Sequence, residues 1–228
     1  MKILLRTLLA ILCCGPLWLV ATAMAQTSPA DIQKLAEGVD KHYNNLTSMQ
    51  ADFAEIYRGG GMARSESGVM WLKKPGKMRW EYRNPREKLF ITDGKTAWFY
   101  VPGERQARRA SVKRLDDMRS PLRYLLGRTK LMKEFEGLSL APDARPANQG
   151  NVMLRGVPKG MQDRVSQVLL EITPERRIAR IFLEELDGST TEFRFLQQRE
   201  NVQVADERFR FSPPRGIEVM EASELAPQ

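Results

Sequence analysis

Short segments of alternating apolar and polar residues, separated by turn signals, make up most of the sequence after residue 48. Asp93-Gly94, Pro102-Gly103 and Asp187-Gly188 mark turns, and Asp-Gly is among the stronger signals for a tight hairpin. Because little helical periodicity lies between these segments, the pattern predicts an antiparallel sheet curled into a sandwich or barrel. The predicted strands cover residues 49–53, 65–73, 77–82, 88–92, 96–101, 105–112, 151–157, 164–173, 178–186 and 190–198.

Two segments have the features of helices. Ahead of the first strand, Ser28 is a candidate cap, Pro29 takes the favoured first position and Asp31 completes a Ser-x-x-acid capping box. An apolar stripe at intervals of three and four residues follows, made of Ile32, Leu35, Val39 and Tyr43. Residues 120–127 combine a serine cap, a first-position proline and a terminal glycine, which predicts a short helix inserted in the sheet. The polar, proline-containing segment 142–150 is expected to be an exposed loop.

The first 25 residues are typical of a secretory signal. Lys2 and Arg6 precede an apolar stretch, and Ala23-Met24-Ala25 fits an A-x-A cleavage site. A membrane anchor is the alternative, but the apolar run is shorter than the ~20 residues that a spanning helix needs. A lipid-modified cysteine is also disfavoured, because the residue before Cys13 is Leu12 and the residue before Cys14 is Cys13, where a small residue is required. We therefore expect a cleaved signal at 1–25 and a single domain at 26–228, located in the periplasm.

Removing the signal changes the available chemistry. Both cysteines of the chain lie in the signal, so the remaining 203 of the 228 residues hold no thiol and form no disulfide. The signal also contains two of the 36 basic residues and none of the 28 acidic ones, which leaves a net charge of 34 − 28 = +6. A basic exported protein meets anionic membrane surfaces and acidic partners, and it meets no nucleic acid there. Plain solubility explains the charge equally well.

The inventory of reactive side chains argues against an enzyme. His42 is the only histidine, so a zinc site and a serine triad are both disfavoured, and no Gly-x-Ser-x-Gly motif occurs. The triple glycine at 59–61 lacks the following Lys-Ser/Thr of a phosphate-binding loop and is expected to end a hairpin. Adjacent carboxylates such as Glu184 and Glu185 point to opposite faces of a strand, which is unsuitable for a glycosidase pair.

Large apolar residues are concentrated in a stretch of thirty residues: Trp71, Met78, Trp80, Tyr82, Trp98, Phe99 and Tyr100. In the strand 77–82, alternation places Met78, Trp80 and Tyr82 on one face, with Arg79 and Glu81 on the solvent side. An ordinary core would account for about half of these residues. A curled sheet with a helix across its open side can also enclose a ligand cavity, and composition does not separate the two alternatives.

Three segments of the sequence carry motifs that occur in a set order along the chain. The most specific stretch is the SGVMWLKKPGKMRWEY sequence at 67–82, followed by Asn84-Pro85 and by DGKTAWFY at 93–100. Near the other end lies FRFSPPRG at 209–216. In this order the segments resemble the periplasmic outer-membrane lipoprotein carriers of the Lol pathway, and FRFSPPRG is similar to the closing motif of that family. The similarity extends from about residue 31 to residue 219. No single motif is diagnostic, but the ordered set together with the signal is specific.

The resemblance implies a mainly β, α+β fold in which an incomplete antiparallel β-barrel is closed by a helical lid over a hydrophobic cavity. It implies a monomeric carrier, not an enzyme and without cofactor or metal, that takes lipid-modified proteins by their acyl chains from an inner-membrane ABC exporter to an outer-membrane receptor. Lys74 stands where the family often has an arginine that restrains the lid through backbone carbonyls, and lysine lacks the planar fork. The candidate cavity residues are Trp71, Met78, Trp80, Tyr82, Leu89, Ile91, Leu122 and Leu125.

Other functions remain open at this point. A related-fold periplasmic lipid or lipoprotein sensor acting through a regulatory partner is the main alternative, although such sensors tend to carry a second domain. The outer-membrane receptor of the same pathway shares the fold but is lipid-anchored. A hydrolase of lipids or glycans is a further alternative, against which the single histidine counts.

Overall fold

The computed structural model describes residues 29–112, 124–125 and 130–222. Helix α1 (Pro29–Asn45) comes first, and a single turn of helix, α2 (Leu131–Glu134), lies in the middle of the chain. The first six strands are β1 (Ser48–Gly59), β2 (Met62–Lys73), β3 (Lys77–Asn84), β4 (Lys88–Asp93), β5 (Thr96–Tyr100) and β6 (Gln106–Ser111). The remaining six are β7 (Phe135–Leu140), β8 (Val152–Pro158), β9 (Val165–Ile172), β10 (Ile178–Glu185), β11 (Thr190–Glu200) and β12 (Glu218–Glu221).

All twelve strands belong to one open sheet in the order β12-β6-β5-β4-β3-β2-β1-β11-β10-β9-β8-β7. Every pairing is antiparallel except β12 with β6, which is parallel. The prediction of a mainly β protein built on an antiparallel sheet is therefore confirmed. Within the described ranges, no helix has the length and apolar content needed to cross a bilayer.

Helix α1 lies against the sheet and covers part of one of its faces. Its buried side chains Leu35, Ala36, Val39 and Tyr43 belong to the same apolar cluster as residues from β1–β3 and β8–β11. The hydroxyl of Tyr43 accepts a hydrogen bond of 2.9 Å from the backbone N–H of Ile178, which joins the helix directly to β10. The apolar stripe that the sequence predicts for this helix, from Ile32 to Tyr43, is therefore the face that packs against the sheet.

Strands β7 and β12, helix α2 and a 3₁₀ turn at Asp206–Phe209 were not predicted. Strand β7 is interrupted by Gly137 in a positive-φ conformation and by a register shift, and strand β12 is four exposed residues long. The short helix predicted at 120–127 lies mostly outside the described residues. Only Tyr124 and Leu125 of it are described, and both are buried in the same apolar cluster as the stripe of α1. The segment 142–150 is irregular, as expected.

Candidate functional site

The face of the sheet that α1 covers, here called the inner face, carries an aromatic cluster. The ring of Phe53 in β1 lies 4.6 Å from that of Trp80 and 4.9 Å from that of Tyr82, centroid to centroid. From β11, Phe193 and Phe195 approach Trp80 at 6.0 and 6.2 Å. Register explains the gathering, because Phe53 pairs directly with Phe195 across β1 and β11. Directly opposed residues of an antiparallel pair share a face.

Met78, Trp80 and Tyr82 all lie on the inner face and are between 1% and 9% exposed. Their strand neighbours Arg79 and Glu81 lie on the other face, where Arg79 Nε donates to Glu81 Oε1 over 2.5 Å. Leu125 is 1% exposed and packs in the same cluster as the inner face. Leu122 lies outside the described residues. For β3, the alternation of apolar and charged residues in the sequence correctly predicts that Met78, Trp80 and Tyr82 face inward.

Three candidate cavity residues lie on the opposite, outer face, and for them the cavity interpretation is wrong. Trp71 pairs across the sheet with Arg79, and Met70 rather than Trp71 is the partner of Trp80. Leu89 pairs with Glu81, and Ile91 pairs with Arg79. The inner-face residue of β4 is Phe90, which pairs with Trp80 and packs against the cluster.

A C-terminal segment, residues 204–211, covers the outer face at these positions. Phe209 is 1% exposed and packs with Val69 and Trp71, while the guanidinium of Arg208 lies 4.4 Å from the Trp71 ring centroid. Further along, Phe211 lies 5.4 Å from the Trp98 ring and 5.5 Å from that of Tyr100. This arrangement explains why Trp71 is buried without belonging to the inner face.

Ion pairs fasten the C-terminal segment. The carboxylate of Asp206 lies 2.6 Å from Lys73 Nζ and 2.7 Å from Lys77 Nζ. Hydrogen bonds from these two ammonium groups lower the pKa of Asp206 to about 2. Lys73 also donates to the carbonyl oxygen of Val204 over 2.7 Å, and Arg79 donates to that of Arg208 over 2.9 Å. The outer face therefore has a cover held by several polar contacts.

The cover of the inner face is fastened at the C-terminal end of α1 by Lys74. Its Nζ donates to the backbone carbonyl oxygens of Tyr43 and of Asn44, the latter at 2.8 Å. Both carbonyls belong to the last turn of the helix, whose C-terminal carbonyls lack partners within the helix and favour a cation. The helix that Lys74 contacts is α1, whereas the lid expected from the sequence was the 120–127 segment.

Acidic residues interrupt the apolar character of the inner face at one end. Glu55 in β1 pairs across the sheet with Glu66 in β2, and the two are 7% and 3% exposed. The Tyr82 hydroxyl donates to Glu55 over 2.7 Å, and Lys88 forms an ion pair with Glu66. Burial raises the pKa of the Glu55 carboxyl above its ordinary value, against the opposing effect of the Tyr82 hydrogen bond.

The rest of the chain offers little reactive chemistry among the described residues. His42 lies at the end of α1 with a ring nitrogen 2.9 Å from Glu200 Oε1, and Arg177 pairs with the same carboxylate at 2.8 Å. No group of three or more metal-ligating side chains occurs in the part of the chain that the structure describes. What the arrangement offers is a large apolar face with a helix across it.

An open antiparallel sheet with an aromatic inner face and a helix against that face is an arrangement that can shelter an apolar ligand. A family model described as outer membrane lipoprotein carrier protein LolA matches residues 44–212. The outer-membrane lipoprotein carrier protein of Nitrosospira multiformis is 31% identical over 181 residues, covering 77% of this chain and 83% of that protein. The carrier protein of Chromobacterium violaceum is 27% identical over 201 residues, covering 88% and 93%.

The chain belongs to the outer membrane lipoprotein carrier family. Among solved structures, the lipoprotein LppX of Mycobacterium tuberculosis superposes with a TM-score of 0.50 at 12% identity, covering 78% of this chain and all of LppX. At that identity the superposition supports the fold alone. The family resemblance identified from the motifs at 67–82, 93–100 and 209–216 is confirmed by the family model and the relatives.

Proposed function

We propose that the protein is a periplasmic, monomeric and non-enzymatic carrier that shelters the acyl chains of lipid-modified proteins against its inner face. The observation that carries this proposal is the aromatic cluster around Trp80, which is apolar, large and continuous with the buried stripe of α1. Cargo would come from an inner-membrane ABC exporter and would leave to an outer-membrane receptor. The membership of the chain in the carrier family supports this assignment.

The geometry supports a particular way of opening. Acyl chains would reach the inner face only when α1 and the side chain of Leu125 move away from it. The hydrogen bonds from Lys74 to the last turn of α1 would then restrain the closed state. The outer face keeps its own cover through the contacts of Asp206 and Phe209, so the sheet remains protected on one side while the other side exchanges helix for lipid.

The energetics of acyl chains explain why such a carrier binds only part of its cargo. Three acyl chains hold about 45 methylenes, and each methylene costs roughly 0.8 kcal/mol when exposed to water. The sum, roughly 36 kcal/mol, exceeds the ceiling of about 20 kcal/mol for reversible binding. A face that recovered all of it would never release the cargo. Loading energy would therefore come from the exporter, and release would follow from incomplete burial.

Substitution of Met78 by glutamate tests the acyl-binding role. Met78 is 5% exposed on the inner face, so Met78→Glu places a carboxylate where acyl chains would lie. We expect a folded protein with a modest loss of melting temperature, because the carboxylate reaches water when the cover opens. The same protein should fail to take up lipoprotein from inner-membrane vesicles. Circular dichroism and the vesicle release assay are run on one preparation.

A matched control makes the outcome specific. Met62→Glu introduces the same charge at a methionine that is 69% exposed at the start of β2, and it should load normally. A folded Met78→Glu protein that still loads cargo would remove Met78 from the binding site. An unfolded Met78→Glu protein would instead show that the inner face at this position is a permanently packed core.

A further inference from the structure

The indole nitrogen of Trp80 is a buried hydrogen-bond donor without an acceptor. Trp80 is 1% exposed, and its Nε1 has no hydrogen-bond partner among the described residues. A tryptophan side chain has no other polar atom, so no second contact compensates. Buried donors in native proteins are nearly always paired, and one that is not requires an explanation.

Five other buried side-chain atoms in the described part of the chain also lack a hydrogen bond, but each belongs to a side chain with a polar partner. The amide nitrogen of Gln198 donates to the carbonyl oxygen of Ile178 over 2.9 Å. The other four side chains form ion pairs, and they are Glu66, Arg155, Arg177 and Arg180. Trp80 is thus the exception within these ranges, and it lies at the centre of the inner face.

The surroundings of Trp80 offer only weak acceptors. The rings of Phe53, Phe193 and Phe195 surround it, with Phe53 at 4.6 Å and an interplanar angle of 62°. An aromatic face accepts an N–H more weakly than a carbonyl oxygen does. A phenylalanine at position 80 would keep an aromatic ring in the cluster without burying an unpaired donor, so aromatic packing alone does not account for the indole N–H.

We propose that Trp80 Nε1–H donates to the carbonyl oxygen that heads an acyl chain of the cargo, so that the carrier distinguishes acyl esters and amides from plain alkyl chains. This inference rests on the proposed function. The methylenes of a lipid chain carry no acceptor, whereas the ester or amide carbonyl at its head carries one. The acceptor then binds inside the aromatic cluster, with the apolar chain against the rest of the inner face.

The test compares two probes that differ in their carbonyls. Dioctanoylglycerol carries two ester carbonyls, and its diether counterpart dioctylglycerol carries none. Their affinities for the mature protein and for Trp80→Phe are measured by displacement of an environment-sensitive apolar dye. We expect Trp80→Phe to bind the diester about fivefold to tenfold more weakly relative to the diether, which corresponds to about 1.0–1.4 kcal/mol for one hydrogen bond.

Two features of the design separate the hydrogen bond from packing. The smaller ring of phenylalanine affects both probes equally, so only the ratio of the two affinities reports on the N–H. Trp71→Phe is the matched control, because it makes the same change beneath the C-terminal segment on the outer face, and its ratio should equal that of the unaltered protein. An unchanged ratio in Trp80→Phe, or an equal change in Trp71→Phe, overturns the inference.

A spectroscopic measurement on the unaltered protein does not depend on the stability of the variant. After the signal is removed, the tryptophans are Trp71, Trp80 and Trp98, so three indole N–H resonances are expected in a nitrogen–proton spectrum. Trp71→Phe and Trp98→Phe assign them by elimination. The Trp80 resonance should move downfield with the diester and not with the diether. Equal movement with both probes overturns the inference, and binding of neither probe overturns the proposed function as well.

Discussion

The contact between Lys74 and the last turn of α1 leads to a prediction about how firmly the inner face is closed. Lys74→Leu removes the donor to the carbonyl oxygens of Tyr43 and Asn44 and removes a cation from the C-terminal end of the helix. A hydrogen bond from a charged group contributes about 1.5–3 kcal/mol, and a cation near a helix C-terminus contributes about 0.3–1 kcal/mol. Because Lys74 is half-buried, we take about 1–2 kcal/mol for the whole contact.

That free energy sets the expected change in opening. At 1.4 kcal/mol per factor of ten, the population with α1 detached should rise by about fivefold to thirtyfold in Lys74→Leu. Amide hydrogen exchange of residues 39–45 measures this population directly, since exchange in a helix requires it to open. Lys74→Arg should protect these amides at least as well as lysine, because a planar guanidinium reaches two carbonyl oxygens at once.

The neighbouring lysine provides the control. Lys73 lies on the outer face and binds Val204 and Asp206, so Lys73→Leu should speed exchange in the C-terminal segment and leave residues 39–45 unchanged. Identical exchange of residues 39–45 in the unaltered protein and in Lys74→Leu would refute the role of Lys74. Equal acceleration of those amides in Lys73→Leu would show that the effect is not specific to the α1 contact.

Three further predictions address stability and processing. Folding raises the pKa of Glu55, so the free energy of unfolding should fall as the pH rises from the ordinary glutamate pKa to the raised one. Urea unfolding at several pH values measures this slope, and Glu55→Gln should remove it. Gly68→Ala would bring a Cβ to 1.8 Å from the carbonyl oxygen of Glu81 and should cost roughly 3 kcal/mol in urea unfolding, whereas the exposed Ser65→Ala should cost little. An intact mass of the exported protein should show cleavage after Ala25 and no added lipid.

The turn residues allow most strand ends to be predicted, because their conformational preferences depend on the local sequence alone. The dipeptides Asp93-Gly94 and Asp187-Gly188 end strands in the structure where the sequence predicts, and their glycines adopt φ angles of 92° and 82°. The last strand, β12, has no such signal, because its four exposed residues pair with β6 through the backbone in parallel. A strand such as β12, which has no alternating pattern and pairs with a strand far away in the sequence, cannot be predicted from its local sequence.

Which face of the sheet a side chain occupies can be predicted from alternation in some strands and not in others. In β3 each apolar residue is followed by a charged or polar one, and the assignment of Met78 and Trp80 follows from that pattern alone. In β4 the residues Leu89, Phe90 and Ile91 are all apolar, so alternation names no inner face. Trp71 lies in a similar run, Val69 to Leu72. These strands are covered on both sides, and only the register against Trp80 decides which residue faces α1.

The candidate site also depends on residues that are far apart in the sequence. Phe53, Phe193 and Phe195 reach Trp80 because β11 pairs with β1, and nothing local to β11 announces that pairing. Glu55 is similar, since an acidic residue in an alternating strand is expected on the solvent side. Its inner-face position becomes evident only with Tyr82 beside it, as the hydrogen-bond donor that a buried carboxylate requires.

The two covers of the sheet differ in how easily lipid can replace them. On the inner face, the buried stripe of α1 consists chiefly of Leu35, Val39 and Tyr43, and burying three such side chains contributes about 6 kcal/mol. An acyl chain recovers the same free energy with about eight methylenes at about 0.8 kcal/mol each. A single chain of ordinary length can therefore displace the apolar contacts of α1, and the polar contacts of the helix, among them those of Lys74, Tyr43, His42 and Asp40, remain to bias the protein toward closure. On the outer face, the several polar contacts of Asp206 and Arg208 oppose the same exchange, because lipid supplies no partner for the charges it would uncover.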